Sequence, residues 1–130
     1  FQYDLVGNLK NIFDPLGRET RMVYDNLDRL TEVRNPANLT GNPSFTYAYD
    51  DNSNRTSVTD ANLKTWTFTY DTKNRQVTGK RPLDDPNDKP YRLEYDVADQ
   101  ILKSISPTGR TMRYSYDARG QQQTIADGLG

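Results

Sequence analysis

Large hydrophobic side chains alternate with small polar ones along short segments of the chain. Segments 45–49 and 66–70 are the clearest: aromatic residues occupy every second position, and Thr or Ala lies between them. A period of two places the large side chains on one face of a β-strand and the small ones on the other. Apolar residues at the i, i+3, i+4 and i+7 spacing of a helix do not recur. We therefore predict an all-β fold with almost no helix.

Most of these segments end in the same dipeptide, Tyr-Asp, which occurs six times. The pairs are Tyr3-Asp4, Tyr24-Asp25, Tyr49-Asp50, Tyr70-Asp71, Tyr95-Asp96 and Tyr116-Asp117, with the tyrosines 21, 25, 21, 25 and 21 residues apart. A fixed period is typical of repeat architectures. The spacing predicts one array over residues 1–130, in which a new repeat starts near each tyrosine and the twelve Tyr and Asp side chains are the structural repeat residues.

Each repeat contains two predicted turns and a second strand. The fourth residue after each tyrosine tolerates a tight or left-handed backbone, and the aspartate can accept hydrogen bonds from turn amides; these fourth residues are Gly7, Asp28, Ser53, Asn74, Asp99 and Gly120. Second strands are predicted at 9–13, 30–33, 55–59, 76–78, 101–105 and 122–125. The 25-residue repeats carry insertions in the second turn, around Thr40-Gly41-Asn42-Pro43 and around 86–90.

This organisation predicts tandem antiparallel β-hairpins with strands of about seven residues. About ten to twelve such strands would form one curved, twisted sheet. The sequence contains no second set of elements that could cover the aromatic face. Both outer edges would be open, which favours pairing with flanking repeats or edge-to-edge self-association.

The repeat unit resembles the YD repeat of bacterial Rhs proteins, of insecticidal Tc-toxin shell subunits and of animal teneurins. The copies most similar to the family pattern are Tyr3-Asp4-Leu5-Val6-Gly7-Asn8-Leu9 followed by Asp14-Pro15-Leu16-Gly17-Arg18, and Ser106-Pro107-Thr108-Gly109-Arg110 leading to Tyr114-Ser115-Tyr116-Asp117. The resemblance extends over the whole chain. Asp28, Ser53, Asn74 and Asp99 stand where the family has a turn glycine, and Gln76 and Gln122 stand where it has a strand leucine.

The resemblance implies a strip of hairpins that forms part of a hollow shell. In the bacterial members such a shell encloses a C-terminal toxin polypeptide that is released by self-cleavage. The protease and the toxin would lie in other segments, so the resemblance implies flanking shell repeats and the enclosed toxin as partners of this chain. It also implies a secreted or cell-surface location for an exported bacterial protein.

Composition narrows the functional classes. The chain has neither cysteine nor histidine, which excludes Ser-His-Asp and Cys-His catalysis and thiolate or histidine metal sites within these residues. A net charge of −1 provides no basic field for nucleic acid or for an anionic membrane surface, and no apolar run reaches the length of a membrane helix. No catalytic residue, metal or cofactor is predicted. Because the chain starts at Phe1 within a repeat, we expect it to be a fragment of a longer protein.

Several residues admit two interpretations. Aromatic rings such as Tyr47, Trp66, Phe68 and Tyr114 either stack on sugars or pack along the sheet, and the strict periodicity favours packing. Segment 50–54 is acidic enough to suggest calcium, but turn capping explains it better. Asp84, Asp85 and Asp88 form an acidic group in an inserted turn that is predicted to be solvated. Arg18, Arg29, Arg55, Arg75 and Arg110 are expected to pair with repeat aspartates across strands rather than with a partner's carboxylates.

The resemblance, together with the absence of catalytic groups, implies a non-catalytic structural segment of a YD-repeat shell, which would encapsulate or scaffold a C-terminal toxin polypeptide. A cell-surface adhesion or carbohydrate-binding module, with glycans as partners, is the alternative.

Overall fold

The computed structural model describes residues 1–36, 41, 43–83 and 87–128. Twelve β-strands follow one another in a single sheet whose strand order is the chain order, and the ladders between neighbours are antiparallel. The strands are β1 (Gln2–Tyr3), β2 (Leu9–Phe13), β3 (Glu19–Tyr24), β4 (Leu30–Arg34), β5 (Phe45–Tyr49), β6 (Arg55–Asp60), β7 (Thr65–Tyr70), β8 (Gln76–Lys80), β9 (Tyr91–Tyr95), β10 (Ile101–Ile105), β11 (Thr111–Tyr116) and β12 (Gln122–Gly128). The all-β prediction is confirmed.

The described residues contain no helix, and so none that could cross a membrane. The chain divides into two compact units, residues 1–66 and 67–130. The first unit holds the hairpins β1–β2, β3–β4 and β5–β6. The second holds β7–β8, β9–β10 and β11–β12, apart from the first two residues of β7. We call these six the YD hairpins, because a Tyr-Asp pair joins the two strands of each.

The strands are shorter than predicted. Strands β2 to β11 have five or six residues, so the expected length of about seven was wrong. The reason is that turn residues on both sides of a strand are held by hydrogen bonds of their own. The positions of the second strands are nevertheless confirmed, and β2 and β10 have the predicted bounds.

The insertions lie where they were predicted, between YD hairpins rather than inside them. We call the pairing of one YD hairpin with the next a junction. The junctions β2–β3 and β10–β11 are short, with five connecting residues, 14–18 and 106–110. The junctions β4–β5 and β8–β9 are long, with ten connecting residues, 35–44 and 81–90. Thr40, Asn42 and Pro86 of the predicted insertions lie outside the described residues.

Each YD hairpin contains a β-bulge beside its tyrosine. Tyr24 is opposite Leu30, but the preceding residue Val23 is opposite Glu32, so Thr31 is an extra residue on the second strand. The same shift occurs in the other five YD hairpins. A bulge reverses the side-chain alternation locally. Consequently residues three apart, such as Leu30 and Val33, face the same side of the sheet.

The register sorts the side chains into two faces, as the alternation predicted. One face, here the tyrosine face, contains the pairs Met22–Val33 and Tyr47–Val58 in the first unit and Tyr114–Ile125 in the second. The opposite face, here the polar face, contains pairs such as Thr46–Thr59 and Thr69–Thr78. The two hydroxyls of Thr69 and Thr78 are 2.7 Å apart, a cross-strand hydrogen bond.

No apolar side chain is buried in the described part of the chain. The buried polar residues there are Asn11, Ser44 and Thr111, and the aromatic residues of the tyrosine face are half-buried or exposed. A folded domain of this size ordinarily encloses a core between two layers. Within each unit the sheet is therefore a single layer, stabilised along its strands.

Candidate functional site

The Tyr-Asp pairs build one turn that is repeated six times. We call the aspartate and the four residues after it the YD turn: 4–8, 25–29, 50–54, 71–75, 96–100 and 117–121. In each, the aspartate amide donates to the carbonyl of the fifth residue, and the fourth residue's amide donates to the aspartate carbonyl, at 2.9–3.3 Å. This is a three-residue hairpin loop, a type I turn followed by a left-handed residue.

The aspartate side chain caps the turn, as predicted. One carboxylate oxygen accepts the amides of the third and fifth residues in all six turns; in the turn of Asp71 these are Lys73 at 2.9 Å and Arg75 at 3.0 Å. The side-chain hydrogen bond from Arg75 is the main reason that the pKa of Asp71 lies below its ordinary value. The amide of Asn54 likewise lowers the pKa of Asp50. In these two turns the anionic form of the carboxylate is thus favoured by the turn itself.

The fourth residue of every YD turn has a left-handed backbone. Its φ is 99° at Gly7 and 77° at Gly120, and it is still positive, between 58° and 66°, at Asp28, Ser53, Asn74 and Asp99. The departures from the family glycine therefore keep the turn geometry. Asp and Asn tolerate this region better than other L-residues, because their side chains bond locally.

Connections at the opposite ends of the strands use the same turn. Asp14 caps 14–18 and Asp60 caps 60–64, each accepting two amides at 2.9 Å, and the hydroxyl of Ser106 accepts one in 106–110. We call these three the far turns. Leu63 has the left-handed conformation there, with a φ of 61°. The sequence analysis did not identify these caps, although Asp-x-x-Gly occurs at 14–17 with the spacing seen at 4–7.

The hydroxyls of the repeat tyrosines reach across the junctions to backbone carbonyls. Tyr24 donates to Leu9 at 2.9 Å and Tyr116 to Ile101 at 2.9 Å, both at short junctions. At the long junctions Tyr49 donates to Leu30 and Tyr95 to Gln76, both at 2.7 Å. Each acceptor is the first residue of the preceding strand.

Sequence reasoning missed this role of the hydroxyl. A signal was present: the repeat position is Tyr in all six copies, whereas the position two residues earlier is Phe, Met, Tyr or Leu. Burial raises the pKa of Tyr24 and of Tyr95, which favours the protonated, donating form. The tyrosine thus gives both apolar contact and a fixed hydrogen bond between neighbouring hairpins.

Aspartates bind several of the arginines singled out from the sequence. Arg18, Arg29 and Arg75 bind the capping aspartate of their own turn, at 2.6–2.8 Å, and Arg75 also pairs with Asp99 of the next YD turn at 2.7 Å. Arg110 does bind across strands, to Asp127 at 2.5 Å. Arg55 lies over the ring of Tyr47, 5.8 Å from its centre. Pairing inside the turn is favoured because residues one and five of the loop face each other.

The aromatic residues considered as ligand platforms lie on the half-buried tyrosine face. In the first unit Tyr47 is stacked on Phe45, with ring centres 6.4 Å apart. Trp66 is the second residue of β7. In the second unit Phe68 is opposite Gly79, and the Tyr114 hydroxyl is 3.1 Å from that of Ser104. The structure brings Tyr47 together with Phe45, which the sequence analysis had not proposed as a platform.

The acidic residues of the second insertion are only partly described. Asp84 and Asp85 lie outside the described residues. Asp88 was predicted to be solvated, and this is wrong: its side chain is only 6% exposed and its carboxylate is 3.5 Å from Arg81. Arg81, at the start of the same connection, supplies the opposite charge for this carboxylate. Nowhere in the described ranges do three or more Asp or Glu side chains form a group suited to a metal.

A tight contact distinguishes the long junction of the second unit. Tyr91 lies over Gly79, where an added Cβ would be 2.5 Å from Cζ and 2.6 Å from Oη of the ring. The side chain of Gln76 donates to the Tyr91 hydroxyl. Only glycine leaves room for the ring in this position.

Capped turns, bulged hairpins and tyrosine bridges in a single layer define a repeat protein of the YD class. The chain belongs to the Teneurin YD-shell family, whose model matches residues 1–127. The prediction from the Tyr-Asp repeats is thereby confirmed.

Known proteins of two kinds are similar to the chain. Toxin protein Tse5 of Pseudomonas aeruginosa is 28% identical over 134 residues, which cover 100% of this chain and 10% of that protein. The crystal structure of TcdB2-TccC3-Cdc42 matches 95% of this chain and 7% of the solved chain, with a TM-score of 0.77 and 18% identity. The structure of the Tc holotoxin pore of Photorhabdus luminescens, with the TccC3 mutation D651A, matches 98% of this chain and 9% of the solved chain. Its TM-score is 0.53 and its sequence identity is 14%.

The chain thus spans about a tenth of the length of the relative Tse5. At such low identity the two solved structures establish a shared fold. The family itself supports a structural shell segment.

Proposed function

We propose that the chain is a non-catalytic wall segment of a YD-repeat shell that encloses a toxin polypeptide of the same, exported parent protein. The single-layer construction supports this proposal best. No apolar side chain is buried in the described ranges, and turns and tyrosine bridges hold the hairpins together. Such a sheet is suited to form a surface around something else rather than to enclose a core of its own.

The side-chain chemistry supports a non-enzymatic role. The sequence has no histidine and no cysteine. A nucleophilic serine or threonine would therefore have no imidazole to act as its base, and no thiolate nucleophile could take its place. The carboxylates of the YD turns are engaged by two amides each. They are therefore occupied as caps and not free as acids or bases. The twelve repeat residues, Tyr and Asp of each pair, are proposed as structural residues.

The parent protein provides the direct test of enclosure. Limited proteolysis of the full-length parent should leave its C-terminal polypeptide intact, whereas the same polypeptide expressed alone should be cut at the same protease concentration. Equal cleavage of both would contradict encapsulation. A parent that carries Gly79→Ala and Tyr95→Phe, both of which weaken the second unit, should expose the polypeptide at lower denaturant concentrations than the unsubstituted parent.

Flanking shell repeats are the proposed partners of the outer strands. Strands β1 and β12 end the strand order, and β12 is paired with β11 at six positions. An outer strand has backbone groups on its second side that can accept another strand. We propose that the parent's adjacent repeats pair there, and that the isolated chain self-associates through the same edges. Sedimentation as a concentration-independent monomer would contradict the second statement.

Carbohydrate binding at a cell surface is the second candidate, and the stacked pair Phe45 and Tyr47 favours it. Phe45 is 39% exposed, and the two rings offer a flat apolar surface. Saturable binding on a glycan array that is lost in Tyr47→Ala or Trp66→Ala, but kept in Tyr114→Ala of the second unit, would support this function over the wall. Absence of glycan binding by the unsubstituted chain would exclude it.

A further inference from the structure

The fifth residue of a YD turn contacts the next hairpin at Asn8, Arg29, Arg75 and Gln100. We call it the clasp position. It is an amide residue in four copies, Asn8, Asn54, Gln100 and Gln121, and an arginine in two, Arg29 and Arg75. At short junctions the side-chain amide makes one hydrogen bond to the neighbouring YD turn. Asn8 donates to the Asp28 carboxylate at 2.9 Å, and Gln100 donates to the Gly120 carbonyl at 3.3 Å.

Arg29 makes a wider set of contacts at the long junction of the first unit. Its Nε donates to its own cap, Asp25, at 2.8 Å. Its Nη1 donates to the Asp50 carbonyl at 3.0 Å and to the Ser53 hydroxyl at 3.2 Å, both in the next YD turn. The guanidinium also lies over the Tyr49 ring, 4.8 Å from its centre. One side chain therefore joins two turns and covers the tyrosine that bridges them.

Arg75 repeats this arrangement in the second unit. It binds its own cap, Asp71, and donates to the Asp96 carbonyl at 3.0 Å and to the Asp99 carboxylate at 2.7 Å in the next YD turn. Its guanidinium is 4.7 Å from the centre of the Tyr95 ring. Two independent copies of the same geometry indicate a rule of the repeat rather than an isolated contact.

Both arginines stand at the long junctions. The backbone ladder there is the shortest among the junctions described: two paired positions in β4–β5 and two in β8–β9, against three in β2–β3 and three in β10–β11. The capped far turn that closes a short junction is replaced by ten connecting residues. At the connecting end of β4–β5 the Ser44 hydroxyl accepts the Asn35 amide at 2.9 Å. At the other end Arg29 makes more contacts with the next YD turn than Asn8 makes at a short junction.

We propose that Arg29 and Arg75 are clasps that hold the long junctions closed, so that these two junctions are the places where the sheet opens when the clasp is released. The inference concerns the chain's own hairpins and holds whether or not a polypeptide is enclosed. Each clasp is local: it acts on its own junction and leaves the others unchanged.

Hydrogen exchange of the full 130-residue chain tests the clasps one at a time. In Arg29→Met, which keeps the aliphatic stem, peptides covering β4 and β5 should exchange about tenfold faster, while those covering β8 and β9 keep their rates. Arg75→Met should show the opposite distribution. The matched control is Arg18→Met, which loses an ion pair of similar length in the far turn of the short junction β2–β3. It should leave both long junctions unchanged.

Equal acceleration of a long junction by Arg18→Met, or acceleration spread over all strands in Arg29→Met, would overturn the proposal. A transplant provides a test that does not depend on weakening the fold. Asn8→Arg places an arginine opposite Asp28, which occupies the position that Asp99 has for Arg75. It should slow exchange at the β2–β3 junction about threefold. Unchanged or faster exchange there would contradict the proposal that an arginine at the clasp position stabilises the junction beside it.

Discussion

The short and the long junctions achieve the same strand pairing by different means. At β2–β3 and β10–β11 a capped far turn fixes the strands at one end. At the other end one hydrogen bond from an Asn or Gln side chain joins the YD turns. At β4–β5 and β8–β9 the connection has twice as many residues, and an arginine joins the YD turns. The tyrosine hydroxyl bridges both kinds of junction.

A long connection changes the free energy of folding in two ways. Doubling the length of a flexible loop costs only about 0.6 kcal/mol of closure entropy. A hydrogen bond from Arg29 or Arg75 to the next YD turn is worth about 1 kcal/mol, which is at least as large. Insertions are thus tolerated where a side chain elsewhere in the same repeat offsets the closure cost.

The largest expected effect comes from filling the space under Tyr91. Gly79→Ala at the long junction β8–β9 should destabilise the chain by about 2 kcal/mol in urea unfolding, because the new methyl group displaces the ring and its bond from Gln76. In a Tyr91→Ala background the same substitution should cost less than about 0.5 kcal/mol. Equal costs in both backgrounds would show that the ring does not depend on the glycine.

A second experiment addresses the feature that both junctions share. Tyr116→Phe at a short junction and Tyr95→Phe at a long one each remove a hydroxyl bond to a carbonyl, so each should cost about 1 kcal/mol. Measured by urea unfolding, the two losses should agree within error. A much greater loss for Tyr95→Phe would mean that the bridge and the arginine above its ring act as one unit.

These tyrosine and arginine contacts mark the limit of what the sequence could predict. Period-two alternation and the Tyr-Asp spacing were sufficient for the strands, the turns and the positions of the insertions, because those depend on neighbouring residues. The acceptor of the Tyr95 hydroxyl is 19 residues earlier in the chain. Its identity depends on a bulge that shifts the register by one residue, and no local pattern specifies that. The partners of Arg29 are hidden for the same reason.

A smaller effect tests how far a far turn depends on its left-handed residue. Leu63 adopts a φ of 61° in the turn 60–64 and is exposed, so Leu63→Gly should relieve strain and stabilise the chain by about 0.5 kcal/mol after the entropy of glycine is counted. Leu16→Gly is the control. It precedes the left-handed Gly17 and should instead destabilise by about 0.5 kcal/mol. Thermal or urea unfolding of both variants distinguishes the two signs.

The smallest expected effect is the pH dependence of one cap, because the ion pair is partly solvated. Hydrogen bonds lower the pKa of Asp71 below its ordinary value of 3.8. Stabilisation by this carboxylate is therefore complete above that value and is lost as the pH falls through the folded-state pKa. Asp71→Asn should flatten the fall in urea midpoint between about pH 5 and pH 2. Parallel profiles for variant and unsubstituted chain would contradict this assignment.

The half-exposed tyrosine face also has a calorimetric consequence. Unfolding of a typical domain uncovers apolar surface and raises the heat capacity by about 12–15 cal/mol/K per residue. In the described part of this chain no apolar side chain is buried in the folded state, so unfolding exposes less new apolar surface to water. The heat-capacity increment per residue should fall below that range, and the stability curve should be correspondingly flat with temperature.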